Sequence, residues 1–217
     1  RHSGIPVVAT LHGPTISVAI QQNFLHRLHH RIYASMLKRL DGIIAISDFV
    51  RHYVADDLRI DADRIDVVHN CSDVAKYRTP VDVKKVRDRV GIPEDAAVLV
   101  IVGELSPRKG ILEFVRASAL ISESIPQAHF LVVGTGVLRE EAIGLSEVLG
   151  VSSKVHFVGQ RSDVPDLLCA SDVLAVTSYQ EGFGRTITEA MSSGLPVVSF
   201  DSGATSEIII DGETGFL

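Results

Sequence analysis

The chain has 217 residues, 46% of them hydrophobic, and a formal net charge of -6, enough material for one or two packed cores. Without a basic tract, that balance argues against nucleic acid as a partner. The longest apolar run, from Ala96 to Val102, is far short of a membrane span.

Taken in chain order, short Val/Ile-rich runs alternate with helical stretches. A strand over 5–11 leads to a helix over 20–39 and a strand over 42–46. Ser47 then reads as the N-cap of a helix over 48–58, followed by a strand over 65–69. The polar stretch 70–95 carries Pro80 and Pro93 and reads as a domain junction; its mixed-charge run from Asp82 to Arg89 reads as a short solvated helix. Beyond it come a strand at 98–102, a helix at 111–121 opened by Gly110, a strand at 129–133 and a helix at 138–149 stopped by Gly150. A strand at 155–158, a helix at 164–169 and a strand at 173–176 follow. A helix at 186–192, ended by Gly194 and Pro196, leads to a strand at 197–200.

None of these strands alternates with a period of two, which is the mark of parallel strands buried on both faces. Strand and helix in alternation argue for a doubly wound α/β architecture. The expected domains are 1–73, an incomplete α/β unit, and 74–217, a nearly complete one. Residue 1 is Arg, and Gly215-Phe216-Leu217 reads as a turn entering a strand, so both ends read as interior to a longer chain. No secretory leader is visible. Cys71 and Cys169 stand far apart, outside any CxxC or Cys/His cluster. Buried free thiols in a reduced, cytoplasmic protein are therefore expected.

Three blocks fall just after strands, where ligands of open α/β sheets bind. The loop from Gly103 to Gly110 would place Arg108 and Lys109 beside a helix start, where cations neutralise a diphosphate; an ordinary loop with two solvated cations fits equally well. The block from Glu181 to Glu189 puts two carboxylates eight residues apart around a Gly-Phe-Gly turn. Glycines there let the main chain approach a ligand, the helix start offers N–H groups to phosphate, and carboxylates accept from sugar and ribose hydroxyls. For Glu189, a solvent-facing helical carboxylate is the plain alternative. His12 follows the first strand, where a lone histidine is more often structural. His26, His29 and His30 have helical spacing, but no further ligand completes a metal site. Gly134-Thr135-Gly136 begins a dinucleotide fingerprint and lacks its third glycine, with Arg139 in its place.

Together these blocks resemble the retaining glycosyltransferases of family 4. The likeness runs from Thr10-Leu11-His12-Gly13 through Asp41–Ser47, Val67–Asp73, the Gly103–Gly110 loop, Val133–Gly136 and Val155–Gly159. It ends in the E-x7-E block, its continuation to Val198, Asp201–Glu207 and Gly212–Gly215. The resemblance implies a GT-B fold of two Rossmann-like parallel-sheet domains, here with the N-terminal one incomplete and the C-terminal helical tail missing. It implies hexosyl transfer, with retention, from a nucleotide-diphospho-sugar to a glycan or lipid-linked acceptor, as in polysaccharide biosynthesis. No cofactor or metal is required, and peripheral membrane contact would run through the missing segments. By resemblance, Lys109, with Arg108, would hold the diphosphate, and Glu181 would touch the donor sugar, whose pocket Gly182, Phe183 and Gly184 would line. Thr186 and Ile187 would offer N–H groups to the phosphates, Glu189 would hold the ribose, and Gln160 and Arg161 would lie near the base. His12 would reach the sugar from the N-terminal domain. The chain departs from the family at Glu104, where Arg is usual and where a carboxylate would repel a diphosphate, at Cys71 and at Ala204. The alternatives are a GT-B-fold nucleotide-sugar epimerase and a non-catalytic nucleotide-binding module.

Overall fold

The structure is a computed structural model and describes residues 4–13 and 24–217. It divides into two compact units: Arg1–Asn70 with Glu181–Phe183, and Cys71–Gln180 with Gly184–Leu217. The chain therefore leaves its second unit for three residues and returns to it.

In the first unit, β1 (Val8–Leu11), β2 (Gly42–Ala45) and β3 (Ile65–Val67) form a parallel sheet in the order β1-β2-β3. Helices α1 (Phe24–Leu37) and α2 (Asp48–Leu58) make the parallel crossovers. Ile43 and Ala45 of β2 are buried together with Val50, Val54 and Leu58 of α2. β1 starts at Val8 rather than at residue 5, and Ile5, Val7 and Val8 are exposed. An edge strand of the described sheet is not covered on both faces, so the expectation of burial fails there. His26, His29 and His30 fall in α1, but their side chains lie outside the described residues.

The second unit is built on six parallel strands in the order β6-β5-β4-β7-β8-β9. These are β4 (Ala97–Val102), β5 (Ala128–Val133), β6 (Val155–Gly159), β7 (Val173–Val176), β8 (Val197–Ser199) and β9 (Gly215–Phe216). Its helices are α3 (Val74–Tyr77), α4 (Val83–Arg89), α5 (Ile111–Ser124), α6 (Arg139–Val148), α7 (Val164–Cys169) and α8 (Arg185–Ser192). Val98, Val100, Leu131 and Val133 enter one core with α4, α7 and α8. Ile101, Phe130 and Val132 enter another with α5 and α6. The sheet is thus covered on both faces, which accounts for strands without alternation. Strand order reverses between β4 and β7, and ligands of such sheets bind beyond that switch point. Among the described residues, no helix is long and apolar enough to cross a membrane.

Two expectations need correction. The charged run from Asp82 to Arg89 does form a helix, capped by Asp82 and exposed at most positions, but one side of it is not solvated: Val86 and Arg87 are buried. The Arg87 guanidinium donates to Ala170 O at 2.9 Å, Glu94 O at 2.7 Å and Ala96 O at 2.9 Å, and pairs with Asp172 Oδ2 at 3.2 Å. Asp172 Oδ2 also accepts the Val98 N–H at 2.7 Å. A buried cation is tolerated only when its donors are satisfied, and here three carbonyls and a carboxylate do so. The two thiols are not both buried either. Cys71 is exposed, since it sits in the loop between β3 and α3 with no core to cover it, and Cys169 is half-buried.

On β5 and β6, His129 Nδ1 and His156 Nε2 lie 2.9 Å apart. One nitrogen donates and the other accepts, so both rings cannot be protonated in this contact. Burial first, and then Lys154, holds His129 below its ordinary value against Asp95. Burial first, and then His129, holds His156 low against its bond to the Val90 backbone.

Replacing Arg87 with Ala strips donors from two buried carbonyls and a part-buried one and is expected to cost about 3 kcal/mol, read as a lower denaturation midpoint in urea. The histidine pair sets a second expectation. Because the unfolded chain binds more protons than the folded one, stability should rise with pH through this range. The melting temperature should be flat above about pH 7.5 and fall once pH drops below about 6.5, the ordinary histidine value. The His129→Gln variant should show a shallower acid slope in a pH series of thermal melts.

Candidate functional site

The loop after β4 and the loop after β7 are joined main chain to main chain. Residues Pro107–Lys109 make a single tight helical turn that ends at Gly110, with φ 63°. A Cβ on Gly110 would sit 2.0 Å from the Thr177 carbonyl oxygen, so only glycine fits, on both backbone angle and space. Thr177 Oγ1 donates between the carbonyls of Lys109 (3.1 Å) and Gly110 (2.8 Å). The Tyr179 N–H donates to Arg108 O at 2.9 Å, and the Arg108 guanidinium donates to Gln180 O at 3.0 Å. The cationic loop and the chain entering Glu181 are therefore zipped together at the switch point.

The loops after β4 and β5 approach equally closely. A Cβ on Gly134 would lie 1.8 Å from Gly103 O, and one on Gly136 would lie 2.4 Å from Leu105 O. The partial fingerprint thus serves loop packing. Between these loops and the end of β6 opens a cleft of about 330 Å³, lined by Gly103, Glu104, Gly134, Thr135, Gln160 and Arg161 together with Val102, Val133 and Val164. The Lys109 stem runs beside Gly103, with Cε 3.9 Å from where a Gly103 Cβ would stand. The Arg161 fork is held by Asp163, Nε to Oδ1 and Nη2 to Oδ2 both at 2.8 Å. Arg161 in turn keeps the Asp163 carboxyl below the usual carboxylate range. Glu104 is exposed at the cleft mouth.

Gly184 begins α8 in the left-handed region, with φ 89° and no side-chain cap. Ile187 does not offer its N–H as expected: that group donates to Gly184 O at 2.9 Å, and the side chain is fully buried. The tight first turn absorbs the donor, so Arg185 and Thr186 hold the helix-start N–H groups that lack intrahelical acceptors. One turn on, Glu189 is only 8% exposed. Its Oε1 lies 3.2 Å from the Arg185 guanidinium. Burial first, then the Glu189 charge, push the Tyr77 phenol up to about 12.

In the first unit, the carboxyl ends of its three strands gather around Glu181–Phe183. Ser47 caps α2 by accepting the Val50 N–H at 3.0 Å and donates its own proton to Gly182 O at 2.6 Å. A Cβ on Gly182 would stand 2.5 Å from His12 O. The Phe183 ring lies 5.9 Å from that of His69. Glu181 is buried, and His12 is exposed after β1.

Of the residues expected at the site, Gln160 and Arg161 line the cleft, Lys109 runs beside Gly103, and Arg108 bonds the Gln180 carbonyl; Gly184 caps α8, which carries Thr186 and Glu189. His12, Glu181, Gly182 and Phe183 group in the first unit. Sequence reasoning missed Tyr77, Thr177, Arg185 and His69. Thr177 bonds carbonyls 67 and 68 residues away in sequence and Tyr77 is influenced by Glu189 from more than a hundred away, and no local pattern marks either. Arg185 lies inside the motif and has helical i,i+4 spacing to Glu189, a signal that was available.

A family model described as glycosyl transferases group 1 matches residues 82–217, and one described as glycosyltransferase family 4 matches residues 1–76. The glycosyltransferase EpsD of Bacillus subtilis is 30% identical over 100% of this chain and 57% of its own length. The D-inositol 3-phosphate glycosyltransferase of Corynebacterium efficiens is 34% identical over 79% of this chain and 42% of its own length. This chain therefore spans about half the length of the curated relatives it matches. Among solved structures, Anabaena HepE in complex with UDP and glucose superposes with a TM-score of 0.85 at 30% identity, covering 98% of this chain and 57% of that one. HepE has also been solved with UDP-glucose, at a TM-score of 0.85.

Gly110→Ala should force the two loops apart and lower the melting temperature by about 8 °C or more, the effect of a clash and a left-handed alanine together. Calorimetry of the variant checks it; an unchanged melt would mean that the loops part freely.

Proposed function

We propose that this chain, which belongs to the glycosyl transferases group 1 family, carries the donor-binding machinery for moving a hexosyl group from a nucleotide-diphospho-sugar to a glycan or lipid-linked acceptor, with retention of anomeric configuration. Its parallel-sheet units are of the GT-B type. The observation that carries the reading is the zipped pair of loops at the switch point, with Lys109 beside a cleft of about 330 Å³. The complexes of HepE with UDP and UDP-glucose support a uridine diphosphate donor.

In this reading the base enters the cleft by Gln160 and Arg161, and Glu189 takes the ribose hydroxyls. Lys109 and the N–H groups of Arg185 and Thr186 face the diphosphate. A preorganised donor of this kind stabilises the departing charge by about 3 kcal/mol, so the proposed reaction draws on the protein's own cations and amides and needs no metal ion. Arg108 holds the Gln180 carbonyl and so fixes the chain entering Glu181. Glu181 and the Gly182–Gly184 turn take the sugar, whose hydroxyls His12 also meets. The acceptor oxygen attacks the anomeric carbon on the face the diphosphate leaves, and the leaving phosphate accepts its proton. No enzyme nucleophile takes part.

Titration calorimetry of the intact protein with UDP and with uridine tests this. Lys109→Ala should weaken UDP by roughly tenfold to a hundredfold, the range for losing one charge-assisted contact, and leave uridine within about twofold. Equal losses for both would reduce Lys109 to a structural role. Failure of the unaltered protein to bind UDP, or UDP-glucose turnover to an isomer in place of transfer, would overturn the proposal.

A further inference from the structure

Asp163 stands at the N-cap of α7, yet its carboxylate makes no cap bond. An aspartate in that place ordinarily accepts an N–H from the first turn of its helix. Here both carboxylate oxygens go elsewhere. Oδ1 accepts from Arg161 Nε and Oδ2 from Arg161 Nη2, each at 2.8 Å. The Arg89 guanidinium of α4 stands 3.5 Å from the same Oδ2. The helix start forgoes its cap, and the carboxylate is committed to holding an arginine.

That arginine lines the cleft beside Gln160. Two parallel bonds fix the plane of a guanidinium as well as its position. They also occupy the edge that carries Nε and Nη2. What Arg161 can still offer a ligand is its flat face and Nη1. A planar, delocalised cation stacks on rings, and every aromatic base has a π-face to present to it. Without the fork, a side chain 31% exposed would have many rotamers to lose when a ligand ordered it, at the expense of affinity.

We propose that Asp163 is a positioning residue for donor binding: its carboxylate holds the Arg161 guanidinium as a platform on which the nucleobase stacks. The inference rests on the entry of the base beside Gln160 and Arg161. The carboxylate is charged at every working pH, because the Arg161 bond keeps it below the usual carboxylate range. The plain alternative is that the pair only steadies the loop before α7, a role indifferent to whether the base is aromatic.

The test compares UDP with 5,6-dihydro-UDP by titration calorimetry on the intact protein. The reduced base keeps the carbonyls and N–H of uracil but has a puckered, non-aromatic ring. The unaltered protein should prefer UDP by about tenfold, within the range for stacking one base on a planar side chain. In Asp163→Asn, which keeps the shape and can cap α7, the preference should shrink to about threefold, with 5,6-dihydro-UDP affinity and melting temperature nearly unchanged. Asp163→Ser, which offers a cap and no carboxylate, should shrink it likewise. Arg161→Lys keeps the charge without the flat face and should leave about twofold; adding Asp163→Asn to it should change the ratio no further. An undiminished preference in either Asp163 variant, or equal weakening of both nucleotides, would overturn the positioning role. A protein that binds the two nucleotides equally well would refute stacking on Arg161, and the inference with it, while the binding of UDP stood. No UDP binding at all would refute the nucleotide reading itself.

Discussion

Everything at the edge of the larger sheet depends on main chain touching main chain. The loops after β4, β5 and β7 meet with a peptide carbonyl where a side chain would otherwise begin, at Gly110 against Thr177 and at Gly134 against Gly103. At such contacts only hydrogen fits. Because the contacts involve backbone, the loops they join have no rotamers through which to relax. Lys109 and the residues of the cleft inherit fixed positions from that contact.

The charges around the cleft are arranged in the same manner. Arg161 is forked onto Asp163, Arg108 is bonded to the Gln180 carbonyl, and Arg185 reaches the Glu189 carboxylate. Side chains bound to acceptors before a ligand arrives need little reorganisation when it does, which is what makes fixed dipoles effective near a developing charge. The first unit uses an economical version of this logic. Ser47 serves one hydroxyl to two ends, accepting from α2 and donating to Gly182, so the start of a helix and the turn after Glu181 are held by one oxygen.

Much of this was legible in the sequence. The bounds of α2 and α7 are those expected, because Ser47 marks the first start clearly and the second is bracketed by short, distinct strands. Parallel strands were readable from unbroken Val/Ile runs, since burial on both faces removes alternation. The strand-to-helix loops could be placed at one edge of the sheet from chain order alone. What was not legible depends on acceptors distant in sequence. Arg87 looked like one charge in a solvated run, because nothing local announces carbonyls at positions 94, 96 and 170. Tyr77 looked like linker, because Glu189 lies more than a hundred residues away. Ile187 was taken for a free donor, although the tight turn at Gly184 consumes its N–H. Cys71 was expected inside, since free cysteine usually is, but its loop has no core above it.

The Arg87 knot has a further meaning for how the second unit comes apart. A single guanidinium holds the end of α7, the approach to β4 and the residue ahead of β7, while its own backbone belongs to α4. Segments that share a buried cation cannot fray one at a time, because each departure strands the charge for the others. The central strands of the sheet and the helix that carries Arg87 are therefore expected to open as one cooperative unit, with amide hydrogens along Ala97–Val102 exchanging together.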